Sequence, residues 1–153
     1  MNSDTRRIST GRIRFALAVN RDGRFEKRHF GDASRFLVYE WDGRQWIFLH
    51  EKLNIFREEE ENPVHNLPEK GRKIMEYLES SGVDVLVSRQ FGGNIRLVHR
   101  KFIPVIVSHT DPDEVMHVIG KHIQWIHDEL TSRPEAYRLF KIKKGILKFP
   151  VKK

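Results

Sequence analysis

The sequence predicts a single mixed α/β domain, in which helices cover a sheet that contains both parallel and antiparallel strands. The first observation is the run Ile13–Val19, which is large and apolar on one side and small and apolar on the other. That pattern is typical of a strand covered on both faces. The second observation is a turn sequence between two strand-like runs, which indicates a hairpin. The third is that short apolar runs alternate with segments that have helical spacing. A length of 153 residues, 39% of them hydrophobic, suits one hydrophobic core.

The hairpin is predicted directly after the first strand. Two strand-like runs, Phe36–Trp41 and Gln45–Leu53, flank Asp42 and Gly43. An Asp-Gly pair readily takes the positive φ angles of a tight turn, so we expect these strands to be antiparallel neighbours. Residues 57–63 follow with four consecutive glutamates, whose mutual repulsion predicts an exposed loop.

Helices and strands alternate in the second half of the sequence. Helical spacing predicts a helix over Leu67–Ser81, with Pro68 in its first turn and Gly82 as its stop. The elements predicted after it are a strand at Val83–Val87, a short helix at Asn94–Lys101, a strand at Ile103–Val107 and a long helix from Thr110 or Asp111 to Leu130. Connections of this length favour parallel strands joined by right-handed crossovers.

The last 23 residues carry the whole net charge of the chain. Residues 131–153 contain eight basic residues and a single acidic one, so they account for the formal net charge of +7. Two apolar runs within them, Leu139–Ile142 and Ile146–Phe149, predict a small hairpin or an extended arm. We therefore divide the chain into a flexible N-terminus at 1–12, an α/β domain at 13–130 and a basic C-terminal extension at 131–153.

Composition excludes several classes of site. The chain contains no cysteine, which excludes disulfides, thiolate zinc sites and iron–sulfur clusters held by thiolates. Any metal or anion must therefore be held by imidazole, carboxylate, arginine or backbone amides. No apolar run reaches the roughly 20 residues of a membrane span, and residues 1–14 lack the apolar core of a signal peptide. We expect a cytoplasmic protein with no membrane partner.

Most of the eight histidines are interpreted as structural. His117, His122 and His127 are spaced five apart, so they point in different directions around a helix and cannot form the i, i+4 pair of a metal site. The apolar residues around His122 predict that it is at least half-buried. His50 and His99 have no acidic or histidine neighbour at useful spacing.

Three histidines, His29, His65 and His109, fall in predicted connections. In an open α/β sheet, ligands bind beyond the carboxyl ends of the parallel strands. Asn20, the segment 88–94 and His109 follow such strand ends. We expect them to line one rim, although an ordinary surface position for His29 is an open alternative.

Glycines in the segment 88–94 indicate an anion site. Gly92 and Gly93 precede a predicted helix, where bare backbone can approach an anion and where free amides favour negative charge. Arg89 adds a positive charge, and Asn94 begins the helix. A plain tight turn is the alternative.

Several of these segments occur together, in the same order, in one family. They are the strand Arg14–Val19, His29-Phe30-Gly31 followed by Ala33 and Phe36–Glu40, Asn62-Pro63 with His65, and Gly82–Val87 with the glycine segment behind it. In these motifs the chain resembles the dinitrogenase iron–molybdenum cofactor biosynthesis family, of the NifX and NafY type. The resemblance covers about Ile13 to Leu130.

The resemblance implies a ribonuclease H-like three-layer fold, with a mixed sheet of about five strands and helices on both faces. It implies non-catalytic binding or carriage of an anionic metal–sulfur cluster or its precursor, such as a molybdenum/iron or molybdenum/copper sulfide. Proteins that donate and accept the cluster would be its partners. By analogy, His29 is the first candidate metal ligand and His65 the second. The other candidate cluster-binding residues are Asn20, Arg28, Arg89, Gln90, Gly92, Gly93 and Asn94.

Two other functions stay open. An accessory protein could bind RNA or an acidic partner through residues 131–153, where Tyr137 and Phe140 accompany the basic residues. A divalent-metal nuclease is the second alternative. That chemistry needs several carboxylates around the metal ions, and Ile13–Val19, the predicted central strand, contains none.

Overall fold

A computed structural model describes residues 11–56, 63–132, 135–143 and 145–151, and of residues 63–69 it describes the backbone alone. These residues form a mixed α/β fold, as the sequence predicts. The predictions for residues 1–10 and for the acidic stretch 57–62 lie outside the described residues. None of the described helices has the length and hydropathy that crossing a membrane requires.

One sheet organises the fold. Its strands are β1 (Ile13–Val19), β2 (Arg35–Trp41), β3 (Trp46–Leu53), β4 (Val85–Ser88), β5 (Ile103–Val107), β6 (Leu139–Ile142) and β7 (Ile146–Phe149). The seven strands lie in the order β3-β2-β1-β4-β5-β6-β7, so the expectation of about five strands was too low. Strands β1, β4, β5 and β6 are parallel, and β2, β3 and β7 pair antiparallel with their neighbours.

The extra strands come from the basic C-terminal segment. Leu139–Ile142 and Ile146–Phe149 form the hairpin that the sequence allowed. They do not extend from the domain as an arm, because β6 pairs in parallel with β5 in the register Ile106 to Lys141. Phe140 and Ile142 are buried in the core. Apolar burial of alternate residues explains why this basic segment completes the sheet.

The helices differ from their predicted bounds at several ends. They are α1 (Pro63–Glu79), α2 (Ile95–Val98), α3 (Pro112–Lys121) and α4 (Ile123–Ser132). Helix α1 begins earlier than predicted, with Pro63 rather than Pro68 at its first position, where the missing N–H costs nothing. Gly82 follows α1 with a φ of 73°, which agrees with its predicted role as the stop.

The long helix predicted to reach Leu130 is divided in two. Asp111 caps α3, since its side chain accepts a hydrogen bond from the Asp113 N–H at 3.0 Å. His122 then leaves the helical region with a φ of −117° and a ψ of 26°, and α4 begins at the next residue. His122 is half-buried, as predicted.

Two apolar layers cover the two faces of the sheet. On one face Phe15 and Leu17 of β1 pack in a cluster with Ile119 of α3 and Ile126 of α4. On the other face the small side chains Ala16 and Ala18 belong to a cluster with α1. Strand β1 is therefore covered on both sides, as its sequence predicts, and the carboxyl ends of the parallel strands meet at one edge between the layers.

Candidate functional site

His29 lies against the segment that follows β4. His29 and Gln90 form an isolated parallel bridge, and the Phe30 N–H donates to the Gln90 carbonyl at 2.9 Å. From the other side, Gln90 Nε2 donates to the Lys27 carbonyl at 2.9 Å. Two segments that are far apart in the sequence are thus held together by this bridge and by one side-chain hydrogen bond to the backbone.

Gly92 is the point at which the His29 ring meets this segment. It has a φ of 59°, a backbone angle that residues other than glycine rarely adopt. A Cβ at this position would lie 3.2 Å from His29 Cδ2 and 3.4 Å from His29 Nε2. Glycine is therefore needed both for the turn and for the close approach of the imidazole. Gly93 is different, because a Cβ there would meet nothing within 4 Å.

Asp32 lies behind the His29 ring. His29 Nδ1 is 3.7 Å from Asp32 Oδ2, within ion-pair range but too long for a hydrogen bond. The other oxygen of Asp32 is 3.4 Å from Lys70 Nζ, whose side chain is only 4% exposed. The His29 side chain is 41% exposed. Metal-ligating histidines typically have a carboxylate near the ring nitrogen that does not bind the metal. In His29 the carboxylate of Asp32 lies on the Nδ1 side of the ring, and Nε2 lies on the side that faces Gly92.

Sequence reasoning missed Asp32 and Lys70. The spacing of His29 and Asp32, three residues apart around a glycine, is the local signal for the first. Lys70 had no such signal, because only the packing of α1 against the single 3₁₀ turn Phe30–Asp32 brings it to Asp32.

Asn20 and Arg28, two of the predicted binding residues, take part in local interactions. Asn20 Oδ1 accepts hydrogen bonds from the N–H groups of Asp22 and Arg24 at 2.9 and 3.1 Å, which closes the turn after β1. Arg28 Nε donates to Glu26 Oε1 at 2.7 Å. Both side chains therefore shape the segment that carries His29.

Asn94 faces the neighbouring helix. A Cβ on Gly71 of α1 would lie 2.5 Å from Asn94 Oδ1, so the two elements touch at that glycine. The predicted helix start is a single 3₁₀ turn, Gly92–Asn94, followed by the four residues of α2. So short a helix has little dipole, which weakens the electrostatic argument for an anion at its start.

The remaining histidines occupy varied positions. His65 was predicted to precede the first helix, and this was wrong, because it lies within α1. Its side chain is outside the described part of the structure. His109 is half-buried, and its Nδ1 has no hydrogen-bond partner among the described residues. His99 Nδ1 is 3.3 Å from the Tyr137 carbonyl, in agreement with a structural role. Desolvation, followed by the charges of Lys52 and Arg14, lowers the pKa of His50.

No group of three or more His, Asp or Glu side chains that could hold a metal ion is present among the described residues. His29, with Asp32 behind it, is thus a single candidate ligand rather than part of a closed metal site. A cargo that brings its own ligands could be held by one imidazole, whereas a bare ion needs several protein ligands.

Arg89 belongs to a different part of the same edge. It lines a pocket of about 260 Å³ together with Lys27, Lys141 and Lys143, at the ends of β4, β5 and β6. The predicted cradle of residues 89–94 therefore has two parts, with Gly92 beside His29 and Arg89 among lysines. Lys141 of β6 and Lys143 after it were missed because the sequence did not show that this strand lies next to β5.

The fold and the site define a small α/β protein whose polar groups gather at the carboxyl edge of a mixed sheet. A family model described as dinitrogenase iron-molybdenum cofactor matches residues 11–122, and the chain belongs to this family. The match begins two residues before β1 and ends at the break between α3 and α4, so β6 and β7 lie beyond it. No curated protein matches the chain.

Proposed function

We propose that this protein binds and carries an anionic metal–sulfur cluster, or its precursor, during biosynthesis of the iron–molybdenum cofactor, without converting it chemically. The observation that supports this most is the half-exposed imidazole of His29, held between Gly92 and the carboxylate of Asp32. The family description names the iron–molybdenum cofactor. The cluster is cargo in this proposal, and a molybdenum/iron or molybdenum/copper sulfide fits it equally.

The chemistry divides among few groups. His29 Nε2 binds a metal atom of the cluster, while the carboxylate of Asp32 lies 3.7 Å from Nδ1 on the other side of the ring. The exposed backbone at Gly92 and Gly93 lets the sulfides approach closely. His65 is the proposed second ligand, from α1. One or two imidazoles hold a cluster loosely enough to pass it on, which suits partners that donate and accept it.

The fold and the location are proposed in the same way. The order β3-β2-β1-β4-β5, with an antiparallel meander beside a parallel pair, supports a ribonuclease H-like fold to which β6 and β7 are added. We propose the cytoplasm as the compartment. RNA binding through residues 131–153 and nuclease activity remain predictions of the sequence alone.

Anaerobic reconstitution tests cluster carriage. The purified protein is incubated with molybdate, iron and sulfide, or with molybdate, copper and sulfide, then desalted and examined by absorbance and metal analysis. The wild type should retain a chromophore that His29→Ala loses. His50→Ala is the matched control, because His50 is an exposed histidine on β3, and it should retain the chromophore.

Two results would contradict the proposal. The first is a wild-type protein that retains no metal with either mixture. The second is equal retention by His29→Ala and His50→Ala, which would place the cluster elsewhere. Circular dichroism of each variant shows whether a loss of metal reflects a loss of fold.

A further inference from the structure

The pocket beside Arg89 gathers four cations. Lys27, Arg89, Lys141 and Lys143 line its 260 Å³, and none of the described residues around it is acidic. Within the described part of the chain, none of the four forms an ion pair. Like charges repel one another, and an anion in the pocket would relieve this repulsion.

The topology explains why these cations converge. Strands β5 and β6 are parallel and end together, with Val107 beside Ile142. Ser108 and Lys143 follow these ends and line the pocket. Arg89 follows the parallel strand β4, and the hydrogen bond from Gln90 to the Lys27 carbonyl brings Lys27 to the same place. Carboxyl ends of adjacent parallel strands are a common position for ligands in open sheets.

An apolar pocket of about 500 Å³ lies next to the cationic pocket. The two share Ile106 and Lys141, which are neighbours across β5 and β6. The apolar pocket is lined by Phe91 and Phe149, among others. Phe149 is 40% exposed, and Lys141 Nζ lies 5.5 Å from the centre of its ring, within cation–π range. Lys141 thus stands between a charged site and an aromatic one.

We propose that the two pockets together bind a nucleoside di- or triphosphate. The phosphates lie among the four cations, where lysine ammonium groups and the Arg89 guanidinium neutralise them. The base lies against Phe149, since a planar aromatic ring stacks favourably on another. The two volumes together fall within the range of roughly 300–1,000 Å³ that is usual for small-molecule pockets. Lys141, Lys143 and Phe149 lie after residue 122 and are therefore beyond the family match. Lys27 and Arg89 lie within it, as does Gly92, which lines the apolar pocket.

Calorimetric titration of the full chain with ATP and GTP tests this site, with adenosine and inorganic tripolyphosphate as the partial ligands. The nucleotides should bind more tightly than tripolyphosphate, and adenosine should bind weakly. Lys141→Ser should weaken nucleotide binding by about tenfold, the loss expected for one charge-assisted contact. Phe149→Ala should weaken ATP but leave tripolyphosphate unchanged.

Lys148→Ser is the matched control. It removes the same charge from the same hairpin, but Lys148 Nζ lies 5.9 Å from the Trp125 ring, on the opposite face of the sheet. ATP affinity should change by less than about twofold in this variant. Equal losses of ATP affinity in Lys141→Ser and Lys148→Ser would mean that binding depends on net charge alone, which would contradict the proposed site.

Further outcomes would also overturn the proposal. If tripolyphosphate binds as tightly as ATP and Phe149→Ala changes neither, the ligand is an inorganic polyanion and not a nucleotide. If single-stranded RNA displaces ATP and binds more tightly with a steep salt dependence, the cations serve nucleic acid instead. His29→Ala, which should abolish cluster retention, should leave ATP affinity unchanged, so this proposal and the cluster proposal can fail separately.

Discussion

The two sides of the segment after β4 differ in how their charges are compensated. On the His29 side, Arg28 pairs with Glu26, and Asp32 lies between His29 and the buried Lys70. On the Arg89 side, four cations share a pocket with no acidic residue among the described ones that line it. Paired charges support the local structure, whereas uncompensated like charges oppose folding. The difference separates charged groups that are paired within the fold from cations that have no acidic partner among the described lining residues.

Asp32→Ala should give the largest effect on stability. It takes a carboxylate away from the ammonium of Lys70, whose side chain is 4% exposed. Loss of a buried hydrogen bond between charged groups costs about 1.5–3 kcal/mol, and urea unfolding monitored by circular dichroism measures it. The control is Glu79→Ala, which breaks an exposed pair with Lys101 in which both side chains are 52% exposed. That change should cost less than about 1 kcal/mol. Similar losses of unfolding free energy in both variants would mean that the buried pair of Asp32 and Lys70 contributes no more than an exposed one.

Gly92→Ala should have an intermediate effect. A side chain at a φ of 59° is strained, and its Cβ would crowd the His29 ring at 3.2 Å. We expect a loss of about 1–2 kcal/mol in the free energy of unfolding. Gly93→Ala, where a Cβ meets nothing within 4 Å, should cost no more than about 0.5 kcal/mol. Imidazole NMR signals of His29 should shift in Gly92→Ala but not in Gly93→Ala. Equal shifts in both variants would contradict the difference in how closely the two glycines approach the ring.

Arg89→Ser should have the smallest effect, and of the opposite sign. Removing one of four neighbouring cations relieves repulsion, so stability should stay the same or rise by up to about 0.5 kcal/mol at low ionic strength. Added salt should shrink the gain, because screening weakens the same repulsion in the wild type. Thermal unfolding at low and high ionic strength gives both values. A clear loss of stability would show that Arg89 supports the fold as the His29 side does.

Local sequence signals predicted much of the fold. The strands β1, β2, β3 and β5 and the hairpin at Asp42 follow from apolar patterning and turn chemistry, which depend on near neighbours. The break at His122 comes two residues after Gly120, but apolar residues at helical spacing continue to Leu130, so one long helix was predicted. The position of β6 beside β5 depends on contacts between distant residues.

The candidate site was predictable to a similar extent. The predicted parallel strands placed the glycine segment at a rim of the sheet, and the family resemblance added His29 as the first candidate ligand. The structure brings the two into contact. The sequence could not predict that Asp32 lies beside Lys70, or that Lys27 lines the same pocket as Lys141. The two residues in each case come from separate elements of the fold. Whether His29 binds a metal stays a prediction.

The pairing of β6 with β5 has a consequence for how the chain folds. Val105 pairs with Phe140, so this half of the sheet closes only after a long stretch of intervening chain, and such distant contacts form slowly. Until then β5, with the sequence Ile-Pro-Val-Ile-Val, is an apolar edge of the type that joins other chains. Once closed, the outermost strand is the four-residue β7, which contains Lys148 and is followed by Pro150. A short strand with a lysine, ended by a proline, is a poor template for further pairing, so β7 leaves this edge of the sheet less open to other chains than an uncovered β5 would.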